Sequence, residues 1–227
     1  MNRYSASILM NQRGPIPYET SWMPSSISTA PAVPGVTYRQ IVQYFYKWTR
    51  DGTWERLNTA LRKLVRIASD KKPEPAAGSI DAQSVKTTEK RGEPGTYGYD
   101  AGKKVKGRKR HVLVDTLGLV LKAVVHSAGI QDRDGAKLVL EGIQMEHPSL
   151  ERVWADGGYR GQLIDWVKEL TGIELEIVKR NDDLHTFQVV PKRWVSERTY
   201  GWFNRFRRLV KTTRLTPGTV RALSTLL

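Results

Sequence analysis

At 227 residues the chain is long enough for one sizeable domain, a small accessory region and a real hydrophobic core. Its 37 Lys and Arg against 23 Asp and Glu leave a formal charge of +14, which selects a polyanionic partner, and with no apolar run near the ~18 residues of a membrane span, nucleic acid is favoured over lipid. The absence of cysteine removes disulfide scaffolds and thiolate metal sites and suits a reducing cytoplasm.

Residues 1–36 are rich in Pro and Ser and show neither helical nor strand periodicity, so they are expected to be disordered. Ser7-Ile8-Leu9-Met10 is too short for the apolar part of a secretory signal. From Thr37 the pattern changes. Tyr38, Ile41, Val42, Phe45 and Trp48 recur at helical spacing, and after Asp51-Gly52 so do Trp54, Leu57, Leu61, Leu64, Val65 and Ala68. This predicts a helical hairpin over 37–72. Its outer faces would carry Lys47, Arg50, Arg56, Arg62, Lys63 and Arg66, either lying on DNA or leaving the hairpin to pack on the next domain.

The Pro-Glu-Pro-Ala-Ala-Gly linker introduces the main domain, expected over 76–211, with residues 212–227 as an atypical tail. Its first strand carries Asp81 inside a short apolar run. Residues 111–115 and 119–125 predict a hairpin closed by Thr116-Leu117-Gly118. A helix opens at Asp132-Arg133-Asp134, with an aspartate placed as N-cap. Residues 152–155 form a fourth strand ending at Asp156-Gly157-Gly158, a helix follows to Leu170, and 173–178 form a fifth strand. The final helix starts near Lys192, with Val195, Thr199, Trp202, Phe206 and Leu209 on one stripe and Glu197 on another. Hairpins first and crossovers later imply an α/β fold, a mixed five-stranded sheet covered by helices on both faces.

In such a sheet, polar residues at the carboxyl ends of neighbouring strands converge on one crevice. Asp81 and Asp156 would meet there if the first and fourth strands are neighbours, with Glu197 reaching them from the last helix. Three carboxylates in one cleft repel one another unless a cation is bound, and oxygen-only ligation points to Mg²⁺ or Mn²⁺. Two such ions would serve an in-line phosphodiester displacement. Lys103, Lys104, Lys106, Arg108, Lys109 and Arg110 form a dense basic run beside them, and Arg193, Arg198, Arg205, Arg208 and Lys211 a second one; both are expected to hold DNA. Asp100, Asp115, Asp132 and Asp134 sit at turns or a helix start and have local roles instead, and the four histidines lack the spacing of a zinc site. The aromatic stripe of the last helix reads as core, with Trp194 or Trp202 the alternative platforms for a flipped base.

Five ordered motifs carry a family resemblance: Ile-Asp-Ala-Gln-Ser-Val-Lys around Asp81, the run from Tyr99 to His111, Gln131-Asp132-Arg133-Asp134-Gly135-Ala136, Trp154-Ala155-Asp156-Gly157-Gly158-Tyr159 and Glu197-Arg198-Thr199-Tyr200-Gly201-Trp202-Phe203. Over about residues 38–211 the chain resembles the bacterial insertion-sequence transposases of the DDE type, in their insertion-sequence-five-like group. The resemblance implies a ribonuclease-H-like fold and places the three metal-binding, catalytic acids on Asp81, Asp156 and Glu197. It also implies cleavage at terminal inverted repeats, strand transfer into target DNA, and a homo-oligomer on double-stranded DNA in the bacterial cytoplasm. Arg193 takes the place of the family's basic residue before the glutamate. The chain departs from the pattern at Val190, where an aromatic hydroxyl is expected, and at Asn204, where a lysine is expected with Arg205 beside it. A second reading is a truncated or frameshifted remnant that binds DNA without catalysis.

Overall fold

The computed structural model describes residues 37–87, 97–178, 194–206 and 209. The first helix, α1 (Tyr38–Arg50), starts at a capping box in which the Thr37 and Gln40 side chains each engage the other's backbone N–H. Gly52 takes the left-handed turn (φ 73°) that leads into α2 (Thr53–Ala68). The two helices are joined by aromatic packing, with the Trp48 and Trp54 rings 4.8 Å apart edge to face and Phe45 5.6 Å from Trp54.

The hairpin forms as the periodicity predicts, but α2 faces the other way. Arg62 and Arg66, expected on its outer face, are buried, while Leu61 and Leu64 are exposed. Arg66 pairs at 2.5 Å with Asp115, which has no exposed surface, and donates through Nε to the Lys72 carbonyl at 2.8 Å. Arg62 donates to the Val120 carbonyl at 3.3 Å. A buried carboxylate is tolerated only when a cation meets it, and that requirement outweighs the burial of a leucine face.

The sheet is built from β1 (Ala77–Lys86), β2 (Gly98–Asp100), β3 (Val105–Asp115), β4 (Val120–Ser127), β5 (Arg152–Ala155) and β6 (Glu174–Ile177). Its order is β2-β3-β1-β5-β6, with β4 also on β3. β2 pairs with residues 105–107 of β3 and β4 with residues 108–114, so these two short strands lie end to end along the long one. β1 is antiparallel to β3 and parallel to β5, and β5 is parallel to β6. This is the mixed sheet expected, with β2 as an added strand. The β3–β4 turn closes as Gly118 predicts, with φ 81° and its N–H donating to the Asp115 carbonyl at 3.0 Å.

Two cores form on opposite faces. Ile80, Leu113, Val153, Ala155 and Leu175 pack under α3 (Asp132–Leu140) and α5 (Leu163–Thr171), next to the single turn α4 (Ile143–Glu146). Val112, Val114, Val120 and Ala123 pack under α6 (Trp194–Phe203) through Val195, Tyr200 and Phe203. Each fully buried large aliphatic contributes on the order of 1.5–3 kcal/mol, so both layers are held by burial and the sheet edge between them is left for polar groups.

Candidate active site

The β1–β5 register pairs Gly78 with Val153 and Ser79 with Trp154. Continued by two residues along both strands, it sets Asp156, just past the carboxyl end of β5, level with Asp81 in the middle of β1. Asp81 is opposite Val112 on β3, so its side chain lies on the α6 face of the sheet. Its Oδ1 accepts the Ala82 N–H at 2.7 Å, and the Ser196 hydroxyl of α6 donates to Oδ2 at 3.5 Å. Tyr200 shares its buried hydroxyl proton between the carbonyls of Asp81 (2.7 Å) and Arg110 (3.0 Å), which ties α6 to the backbone carrying the carboxylate.

Asp156 caps the 3-10 turn Gly157–Tyr159 by accepting the Gly158 N–H at 2.8 Å. A Cβ at Gly158 would lie 3.0 Å from Asp156 Oδ1 and 4.0 Å from Asp132 Oδ2, so both carboxylates border that glycine. Read from sequence as a local helix start, Asp132 is not the N-cap of α3; Gln131 holds that position, and no side chain caps it. The Asp132 carboxylate meets Lys109 at 2.7 Å and Lys103 at 3.9 Å. Lys103 Nζ also donates to the Ala82 carbonyl at 2.8 Å, beside Asp81. Only a helix-start signal was legible at Asp132, and it hides a long-range role.

The electrostatics mark the same notch. Tyr159 is 1% exposed, and burial, followed by the charges of Asp81, Asp132 and Asp156, holds its hydroxyl well above the usual tyrosine range. Burial and Asp81 do the same to Tyr200. Beneath them His111 Nδ1 and His126 Nε2 are 2.7 Å apart, and His126 Nδ1 is 2.8 Å from the Ser127 carbonyl. That carbonyl can only accept, so His126 carries its proton on Nδ1 and accepts the His111 Nδ1–H at Nε2. Burial pushes both histidines below their ordinary range, and at His111 repulsion from His126 adds to it.

Glu197 is exposed on α6, next to Ser196. Among the described residues no three His, Cys, Asp or Glu side chains are close enough to enclose a metal ion, so Asp81 and Asp156 are aligned while Glu197 does not complete a cage with them. The donor set itself, oxygen atoms of carboxylates and backbone carbonyls, is that of a hard cation.

The basic run divides. β3 begins earlier than the sequence suggests, and strand alternation carries Arg108, Lys109 and Arg110 into the sheet layers, at 5%, 3% and 1% exposure. Arg110 lies over the Phe203 ring at 5.4 Å and donates to Gln83 and to the Leu209 carbonyl; Lys109 is held by Asp100 and Asp132. The expectation that these three face DNA is therefore corrected, because their charges are engaged inside the protein. Lys103, Lys104 and Lys106 are exposed, as is Arg205 after α6. Arg198, half-buried, donates to the Leu117 carbonyl at 2.6 Å and is sandwiched between Trp194 and Trp202 (4.4 and 4.9 Å), so it braces α6 on the β3–β4 turn. Both tryptophans and Phe206 lie at the surface, outside the core predicted for that stripe. Arg193, Arg208 and Lys211 lie outside the described residues. Two exposed arginines not singled out from sequence, Arg133 and Arg160, flank the turn after Asp156: a Cβ at Gly161 would be 3.6 Å from Arg133 and one at Gly157 3.4 Å from Arg160.

Among the described residues no helix is long and apolar enough to cross a membrane. The chain is 33% identical over 111 residues to the transposase assigned to insertion sequence element IS402 of Burkholderia cepacia; the match covers 45% of this chain and 52% of that protein. The chain thus spans about half the length of this curated relative. Solved structures similar to it include the Mos1 transposase paired-end complex with left transposon end (14% identity, TM-score 0.34, covering 87% of this chain and 62% of that one). Another is the piggyBac transposase synaptic complex with hairpin DNA (17%, 0.31, covering 50% and 25%). Residues 72–227 match the family described as transposase DDE domain, a match that includes the stretch after Lys211 set apart above. The chain belongs to the DDE transposase domain family.

Proposed function

We propose that this chain is a metal-dependent DNA transposase of the insertion-sequence-five-like group, cleaving phosphodiester bonds at the terminal inverted repeats of an insertion sequence and joining the freed ends to target DNA. The observation that carries the reading is the register that sets Asp156 level with Asp81 across β1 and β5. In this reading Asp81, Asp156 and Glu197 hold Mg²⁺ or Mn²⁺, two ions together. When bound, such ions supply Lewis acidity at the scissile phosphate and lower the pKa of the attacking water or 3′-hydroxyl.

The protein's own contribution is placement. Tyr200 and Ser196 fix the Asp81 segment, and the 3-10 turn fixes Asp156. Exposed Lys103, Lys104, Lys106, Arg133, Arg160 and Arg205 hold double-stranded DNA along the notch, while Arg193, Arg208 and Lys211 are further candidates from the sequence. The protein works as a homo-oligomer on DNA in the cytoplasm, and the exposed apolar side chains Tyr44, Leu61 and Leu64 of the hairpin suit a contact between copies.

The test is nicking of duplexes that end in the parent element's repeats. Mg²⁺-dependent cleavage lost in Asp81→Asn supports the reading. Salt-sensitive binding without cleavage at any metal concentration would instead leave a DNA-binding protein without catalysis.

A further inference from the structure

The turn between β2 and β3 is pinned to its neighbours. Asp100 accepts the Ser84 hydroxyl of β1 and, at 3.0 Å, the Lys103 N–H, and it pairs with Lys109 Nζ at 3.3 Å. Lys104 takes the left-handed region at φ 52°, which is uncommon outside glycine. From this turn the Lys103 side chain reaches back to β1, where Nζ donates to the Ala82 carbonyl at 2.8 Å. Carbonyls alternate sides along a strand. Ala76 turns its carbonyl toward β5, accepting the N–H groups of Glu151 and Arg152 at 2.8 and 3.2 Å, so Ala82, six positions on along an unbroken register, turns its carbonyl the same way. β5 stops at Ala155, which the β1–β5 register sets level with Ile80. The Ala82 carbonyl therefore emerges just past the end of β5, and the Lys103 ammonium stands in the gap that Asp81 and Asp156 border.

Two observations separate this ammonium from a structural counter-ion. Asp132 is already neutralised from within by Lys109, whose side chain is 4% exposed and whose Nζ meets Oδ1 at 2.7 Å, whereas Lys103 approaches Oδ2 only to 3.9 Å. The Lys103 side chain also keeps 43% of its surface exposed, and an ammonium carries three donors. A cation tied to one backbone carbonyl, beside carboxylates and open to solvent, is placed for an anion that must come close to those carboxylates. We infer that Lys103 contacts the scissile phosphate and is a catalytic residue, stabilising the negative charge that builds on a non-bridging oxygen during displacement. Among the described residues no such tie to β1 is made by Lys104 or Lys106, the exposed lysines that follow it, so their part is to hold flanking phosphates. This inference rests on the proposed cleavage and deepens it by naming the side chain at the reacting phosphate.

The test uses the full chain and duplexes that end in the parent element's repeats, with either the natural phosphate or a neutral methylphosphonate at the scissile position. Lys103→Met removes the ammonium, and Lys168→Met, on the exposed face of α5, removes the same charge elsewhere. Both side chains are exposed, so the fold survives their loss, and circular dichroism verifies it. Measured without divalent metal, the ratio of phosphate to methylphosphonate affinity should be the same for the wild type and Lys168→Met and about tenfold smaller for Lys103→Met, as expected when the partner of that one charge is gone. In single turnover with Mg²⁺ and saturating natural duplex, Lys103→Met should nick about 100-fold more slowly and Lys168→Met at the wild-type rate. Equal affinity ratios in all three proteins would overturn the contact, and an unchanged nicking rate in Lys103→Met would overturn the catalytic role. Mn²⁺ bound tenfold more weakly by Lys103→Met would overturn that role too, because the side chain would then act through the metal site. Nicking by the wild type with equal ratios leaves the cleavage reading standing and removes this one. Unequal ratios with no nicking keep the phosphate contact as a binding site and remove the catalysis.

Discussion

Arg66 of α2 meets Asp115 at the end of β3 at 2.5 Å, with both side chains out of solvent, so a helix outside the sheet neutralises a carboxylate inside it. Asp115 also accepts the N–H groups of Leu117 and Leu119 at 2.8 and 2.9 Å, and these bonds hold the hairpin turn. Removing the cation leaves a buried charge, so Arg66→Ala should cost about 3–5 kcal/mol in chemical denaturation. Combined with Asp115→Asn, which keeps an acceptor for the two amides and removes the charge, the loss should fall well short of the sum of the single changes.

Gly135 of α3 lies where a Cβ would come within 2.3 Å of His111 Cε1 and 2.6 Å of His126 Nε2. Both rings are packed and hydrogen-bonded, so they have little room to move. Gly135→Ala should destabilise by about 1–3 kcal/mol through overpacking, despite the better helix propensity of alanine. A thermal melt lowered by about 5 °C would register it.

The histidine pair makes stability depend on pH. Burial, then repulsion between the rings, keeps His111 below its unfolded value, and burial does so for His126. The unfolded chain therefore binds more protons, and stability is retained above about pH 7 and lost as pH falls below about 6.5, by up to ~1.4 kcal/mol per pH unit for each ring. Urea titrations at pH 5, 6, 7 and 8 should show this fall, and His111→Gln should flatten it.

Asp100 acts at lower pH and with the opposite group. Burial opposes its ionisation, but the Ser84 hydroxyl, the Lys103 N–H and the Lys109 ammonium outweigh that and hold it at about 2. A depressed carboxylate stabilises the fold above its unfolded value near 4 and loses that contribution as pH falls toward 2. Asp100→Asn should cost about 2 kcal/mol at pH 7 and little at pH 2.5, measured by denaturant midpoints at both.

Periodicity and turn chemistry made much of the fold legible. Gly118 marked the β3–β4 turn, the apolar runs marked five strands, and the breaker before Asp81 marked the entry of β1. What stayed hidden were polar side chains whose partners are distant in sequence. Arg66 finds its carboxylate 49 positions away, so a rule that sends arginine outward places it on the wrong face of α2. The same rule read Arg108, Lys109 and Arg110 as surface, although strand pairing on both sides of β3 had to bury them. At the notch, Asp156 was readable because it ends a strand-like run before a glycine break, and Asp81 because a carboxylate inside an apolar run after a breaker calls for a reason. Asp132 was not, because its place at a helix start supplied a sufficient local reason for an aspartate.

The most direct test of the account is Mn²⁺ binding to the purified chain, followed by the loss of the free-ion electron paramagnetic resonance signal. If Asp81, Asp156 and Glu197 share the ions, then Asp81→Asn, Asp156→Asn and Glu197→Gln should each weaken binding by tenfold or more, as expected when a charged oxygen ligand is removed. Three variants that bind Mn²⁺ as tightly as the wild type would contradict it.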